Sequence, residues 1–94
     1  MVAQSESPFY HERSVQGIYA NLRAIFPNVQ MYTAFMPIYP SGYWSFAFCS
    51  KKYDPIKNFD QARWDRLKLK TRYYNAEVHK AAFALPQFVK ELIK

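Results

Sequence analysis

Ninety-four residues, half of them apolar and 19% aromatic, make one small chain that is rich in hydrophobic surface for its size, because short chains bury a smaller fraction of their area. With a net charge of +6, two glycines and no repeat, low-complexity run or heptad pattern, a disordered tail, a solenoid and a coiled coil are excluded. No stretch approaches the roughly 18 uninterrupted apolar residues of a membrane span, and Met1 to Ser7 lacks the basic-then-apolar layout of a signal, so a soluble cytoplasmic protein with no membrane partner is expected.

In chain order, Ser7-Pro8 reads as a helix start, a capping hydroxyl followed by proline at the first helical position. Val15, Ile18, Tyr19, Leu22, Ile25 and Phe26 recur at spacings of three and four and mark one apolar face, and Pro27-Asn28 ends the helix.

Two strands follow, joined by Pro37-Ile38-Tyr39-Pro40-Ser41-Gly42. In the first, Val29, Met31, Thr33 and Phe35 alternate with Gln30, Tyr32, Ala34 and Met36; in the second, Tyr43, Ser45, Ala47 and Cys49 alternate with Trp44, Phe46, Phe48 and Ser50. Neither strand has a face made for water. A hairpin of this kind belongs inside a sheet covered by helices on each side, and alone it predicts association or aggregation.

Beyond the hairpin, Asp54-Pro55 opens a polar connector ending in a short helix over Asp60 to Leu67. Asn75 caps a further helix from Ala76 to Leu85, and Pro86 starts or kinks a last segment to Ile93. Helix, strand, strand and short helices in that order suit the closing part of an α/β sheet, where a hairpin adds an antiparallel strand to a parallel array.

Arg13 and Arg23 are balanced by Glu6 and Glu12, so the whole positive excess lies beyond residue 50, mostly in Lys51, Lys52, Lys57, Arg63, Arg66, Lys68, Lys70 and Arg72. A nucleic-acid face and a solvated connector both fit this charge. The second is favoured, because nucleic-acid binding also needs a reading element. Gly42-Tyr43 opens an aromatic strand as an RNP1 motif does, but Ser41, Trp44 and Ser45 break that pattern at three places, and two strands fall short of a four-stranded platform.

The single Cys49 in an apolar strand reads as a buried, inert thiol. His11 and His79 have no chelating spacing with it or with each other and no acidic cluster, so no metal is assigned and both read as helix-surface or packing residues. Tyr73, Tyr74 and Phe83 read as core or interface aromatics.

Several blocks together carry a resemblance. Tyr39-Pro40-Ser41-Gly42 followed by Trp44, then Tyr73-Tyr74-Asn75 with Glu77, His79, Ala81-Ala82-Phe83 and Leu85-Pro86, and Gln4-Ser5-Glu6-Ser7-Pro8 upstream, keep the order found in the C-terminal region of spermidine synthases, the polyamine aminopropyltransferases. The chain resembles that region from Val2 nearly to its end. The resemblance implies the C-terminal part of a Rossmann-like, methyltransferase-type fold spanning residues 1–94 as a single segment. The family's N-terminal β domain, glycine-rich nucleoside-binding half and catalytic aspartates lie upstream of the matched region. Met1-Val2-Ala3 matches the inside of a family strand, which implies a fragment, a split-gene product or a mistaken start.

The activity implied is transfer of an aminopropyl group from decarboxylated S-adenosylmethionine, a co-substrate, to putrescine, with no resident cofactor. Such a transfer needs a neutral amine aligned on the carbon beside a sulfonium, and a carboxylate to accept the amine proton. Glu6, Glu12, Asp54, Asp60, Asp65, Glu77 and Glu91 are the acids present, none in the family's catalytic motif, so no catalytic residue is assigned. Tyr39 matches a tyrosine lining the polyamine site; its bland alternative is packing ahead of Pro40. Trp44 matches a wall of that pocket or else packs in the sheet. Gln4, where a strand ends and a loop begins, faces the ligand rim of an α/β sheet or bonds to nearby backbone. The partners implied are a polyamine substrate and the missing N-terminal part or a full-length synthase. Two competing readings are a non-catalytic module docking on such a synthase through an unfinished sheet edge and a basic RNA-binding domain.

Overall fold

The computed structural model describes residues 1–94. Three strands form one sheet: β1 (Val2–Gln4), β2 (Asn28–Phe35) and β3 (Tyr43–Ser50), in the spatial order β1-β3-β2. Both neighbours of β3 run antiparallel to it, with Val2 opposite Phe48 on one side and Val29 opposite Cys49 on the other. Hence β1 and β2 are parallel to each other, linked by helix α1 (Glu12–Ile25), and β3 returns between them. The sheet is the expected mixture, an antiparallel strand set into a parallel pair. Its third strand, β1, was visible to pattern reading only through the resemblance, because three residues are too few for alternation to show.

Both sheet faces are covered, as strands with two apolar faces require. On one, Met31, Ala47 and Cys49 pack with Val15 and Tyr19 of α1 and with Val89 of the last helix, α4 (Gln87–Leu92); α2 (Gln61–Leu67) and α3 (Ala76–Ala82) precede α4. Full burial of each such aliphatic side chain stabilises by about 1.5–3 kcal/mol. Arg23 donates to the Ile93 carbonyl and so ties α1 to the end of α4. On the other face Tyr32 stacks on Phe46 with centroids 5.1 Å apart, and Phe83, just after α3, reaches Tyr32 at 5.3 Å and Phe48 at 6.3 Å.

Three expectations need correction. The helix expected from Ser7-Pro8 begins at Glu12. Ser7 does cap, accepting from the Phe9 and Tyr10 amides, but the turn it caps is separate, because His11 at φ −121° interrupts the helical backbone. Ile25, assigned to the apolar face, is 66% exposed; it is the last helical residue, and Phe26 packs on the core in its place. The helix expected to reach Leu85 stops at Ala82, although Asn75 caps it as expected by accepting from Val78 N–H at 2.7 Å.

Candidate functional site

Strand directions decide which end of the sheet can work on a ligand. The carboxyl ends of the parallel strands β1 and β2 lie at one rim, and because β3 is antiparallel, its first residues, Tyr43 and Trp44, lie there too. In open α/β sheets ligands bind outside the carboxyl ends of the strands. The loop after β1 and the β2–β3 connection both lie at that rim.

Gln4, Tyr39 and Trp44 meet at that rim. Gln4 is the last residue of β1 and pairs with Phe46; Trp44, two residues along β3, is its diagonal neighbour on the same side of the sheet. The indole Nε1–H of Trp44 donates to Gln4 Oε1 at 2.9 Å. Tyr39, at the threshold of the single 3₁₀ turn Pro40–Gly42, lays its ring against that of Trp44 with centroids 4.4 Å apart. Trp44 is 8% exposed, Tyr39 half-buried and Gln4 exposed. Thus the buried indole is flanked by one polar and one aromatic side chain. Gln4 bonds neither to a loop nor to backbone, the bland role considered for it, but to the second candidate residue.

Beneath this cluster runs a chain of buried hydroxyls that pattern reading missed. Ser45 Oγ donates to the Glu6 carbonyl at 2.7 Å, so the 2.7 Å bond between Ser5 and Ser45 is donated by Ser5. Tyr19 in turn donates to Ser5 Oγ at 3.0 Å, with the Phe46 carbonyl 3.2 Å away as a second acceptor. Both serines are fully buried, and the backbone bonds from Ser5 N to Ser45 O and from Ser45 N to Glu6 O close the junction. Burial pushes the Tyr19 phenol up to about 12, against smaller lowering effects of Ser5 and Arg23. The only visible signal was Ser45, a hydroxyl among apolar strand residues. Glu6 then takes φ 67°, a left-handed conformation costly for a residue with a Cβ, and turns the chain sharply off β1 behind Gln4.

His11 was assigned a surface or packing role, and the structure puts it next to the cluster. Its ring meets Trp44 edge-on at 5.9 Å, and Nδ1 accepts from Ser7 N–H at 3.1 Å. The acids lie otherwise. Asp54 accepts from the amides of Ile56 and Lys57 and from Gln30; the backbone bonds to Lys57 and Ile56 hold its carboxyl below the usual value. Asp60 caps α2. No hydrogen bond joins a carboxylate to Gln4, Tyr39 or Trp44.

On the face that Phe83 covers, His79 is a packing residue, as read. It stacks on Phe59 at 4.4 Å and links Tyr74 Oη, 2.9 Å from Nδ1, to the Pro55 carbonyl, 2.7 Å from Nε2. A carbonyl can only accept, so Nε2 carries the proton. The thiol of Cys49 is buried, and desolvation raises its pKa. Lys51, Lys52, Lys57, Arg63, Arg66, Lys68, Lys70 and Arg72 are all exposed. The aromatic face that an RNA platform would present is instead overlaid by Phe83. No helix is long and apolar enough to cross a membrane.

The fold and rim together define the closing part of a Rossmann-like α/β domain of the aminopropyltransferase type. Residues 1–61 match the Spermine/spermidine synthase domain, and the chain belongs to that family. It is 50% identical over 99% of its length to the polyamine aminopropyltransferase of Lachnoclostridium phytofermentans and 47% identical over 99% to that of Clostridioides difficile. It superimposes on the crystal structure of spermidine synthase from Thermotoga maritima with a TM-score of 0.92 at 43% identity, covering 98% of this chain and 32% of that one. A spermidine synthase in complex with the transition-state analogue AdoDATO matches with the same score. The chain spans about a third of the length of these relatives, 34% for the first two.

Proposed function

We propose that this chain forms the polyamine-facing wall of an aminopropyltransferase, contributing Gln4, Tyr39 and Trp44 to the site where putrescine receives an aminopropyl group from decarboxylated S-adenosylmethionine. The carrying observation is the contiguous Gln4–Trp44–Tyr39 cluster at the carboxyl-end rim of the sheet, in a chain related throughout to polyamine aminopropyltransferases.

The chemistry gives each group a task. A neutral primary amine attacks the methylene carbon beside the sulfonium; the new C–N bond forms as the C–S bond breaks, and methylthioadenosine leaves with the electron pair. The ammonium so formed loses a proton to a base. The other end of putrescine stays an ammonium, which favours the face of an electron-rich ring. Tyr39, backed by Trp44, offers such a face. Holding both reactants in line supplies as much as ~7–11 kcal/mol of the barrier reduction. None of the seven acids of the chain bonds to Gln4, Tyr39 or Trp44, so the proton acceptor is assigned to the remainder of the aminopropyltransferase, on the same or a second chain.

The test is an aminopropyl-transfer assay with putrescine and decarboxylated S-adenosylmethionine, on the chain alone and mixed with a separately expressed N-terminal portion of a polyamine aminopropyltransferase. Activity only in the mixture is expected. Activity of the chain alone would require a base among its own acids. Activity in neither would shift the reading to a non-catalytic module, for which the one-sided pairing of β1 offers a docking edge.

A further inference from the structure

The cluster contains an orientation that the pocket reading by itself does not require. A glutamine amide can present either its oxygen or its NH₂ group, and the two are opposite signals to an amine. An indole N–H is a donor only. Since Trp44 Nε1 lies 2.9 Å from the Gln4 amide, the oxygen must face the indole and Nε2 must point the other way. Gln4 is exposed, and its Nε2 has no partner within the chain. Trp44 is itself fixed, by the Tyr39 ring at 4.4 Å and the His11 ring at 5.9 Å, so the amide is set by a rigid neighbour.

We propose that Trp44 is a positioning residue that locks the Gln4 carboxamide with its NH₂ group toward the polyamine, making Gln4 a hydrogen-bond donor that selects the uncharged nitrogen. This rests on the pocket reading above. An ammonium has three donors and no acceptor, so a fixed NH₂ repels it; a neutral amine has a lone pair and accepts. Gln4 thereby distinguishes the two ends of a diamine. The charged end goes to the Tyr39 ring, and the end beside Gln4 binds as the free base, the form that can attack.

The experiment is solution NMR on the full 94-residue chain, titrated with putrescine and with 4-amino-1-butanol, whose hydroxyl is a neutral acceptor in place of one ammonium. In the unligated chain, scalar coupling across the hydrogen bond between the indole nitrogen of Trp44 and the carboxamide carbon of Gln4 is expected; its absence overturns the proposal. On titration near neutral pH, 4-amino-1-butanol is expected to bind about ten-fold more tightly than putrescine, the scale of one hydrogen bond gained or lost at a partly buried site, and to shift the Gln4 amide protons. Trp44→Phe, which frees the amide to turn, is expected to collapse that preference, and Gln4→Glu, which still accepts from the indole but cannot donate, to reverse it. Shifts at Tyr39 and Trp44 with a silent Gln4, or an unchanged preference in both variants, overturn the orientation and leave the pocket standing. If none of the three residues responds to either amine, in the chain alone or in its mixture with the N-terminal portion, the pocket reading falls and the proposal with it.

Discussion

Ser7 and Ser41, 34 positions apart in the chain, meet with their Oγ atoms 3.2 Å apart and fasten the loop after β1 to the turn between β2 and β3. Those two segments carry the candidate site on either side, since Gln4 precedes one and Tyr39 enters the other. Ser7 Oγ also accepts from two backbone amides, at Phe9 and Tyr10, and is fully buried. Ser7→Ala therefore leaves two donors unpaired as well as the link broken, and is expected to lower stability by about 1–3 kcal/mol. Ser41 is exposed, and Ser41→Ala is expected to cost about 1 kcal/mol or less. Urea unfolding of the two variants checks the order; equal losses would mean the loop is held by something else.

The buried phenol of Tyr19 makes stability depend on alkaline pH. Its folded pKa is raised from 10.0 to about 12, chiefly by burial. A group whose folded pKa exceeds its unfolded value contributes stability that is fully present below the unfolded value and lost as pH rises through the folded one. The window thus runs from about pH 10 to pH 12, and the loss across it is roughly 2–3 kcal/mol at ~1.4 kcal/mol per unit. Tyr19→Phe removes this dependence. At pH 7 the same change is expected to cost about 1–2 kcal/mol, because Ser5 loses its donor. Thermal unfolding of both proteins at pH 8 and pH 11 separates the two effects, and a parallel fall in both would assign the alkaline loss to other groups.

Tyr43 presents the opposite case to Tyr19. Its hydroxyl is buried and no protein group bonds to it, while its ring packs against the same core. Deleting an unpaired buried hydroxyl removes a desolvation cost of about 1–3 kcal/mol. Tyr43→Phe is accordingly expected to be neutral or to raise the unfolding free energy by about 1 kcal/mol. A clear loss of stability in urea would show that the hydroxyl has a partner in solution.

Local signals in the sequence were sufficient wherever one residue decided the outcome. Pro27 and Asn28 end α1, Asn75 and Asp60 cap their helices through side-chain oxygens, and the two-faced strands do sit in a sheet covered on both sides. Legibility failed where two distant residues decide together. Nothing local marks β1 as a strand, because its ladder comes entirely from β3. Likewise Ser5, Ser45 and Tyr19 form one network only after residues 40 apart are brought together. At the site, each of Gln4, Tyr39 and Trp44 was singled out, but that the first two are joined through the third follows from strand register, which alternation alone does not fix. His11 packs, as its sequence context suggests, but that its partner is Trp44 follows only from the fold.

If Tyr39 receives the ammonium end of the polyamine, ring and hydroxyl should contribute separately. Tyr39→Phe keeps the π-face and the packing on Trp44, whereas Tyr39→Ala removes both. A cation over an aromatic ring is worth about 0.5–2 kcal/mol, so Tyr39→Ala is expected to weaken putrescine binding roughly ten-fold, and Tyr39→Phe by about two- to three-fold at most. Because Tyr39 is half-buried and lies outside the core around Met31 and Ala47, neither change should unfold the chain, which circular dichroism verifies. Calorimetric titration then decides. Equal affinity in Tyr39→Ala and the parent would remove Tyr39 from the polyamine site, and a loss as large in Tyr39→Phe as in Tyr39→Ala would transfer the contribution from the ring to the hydroxyl.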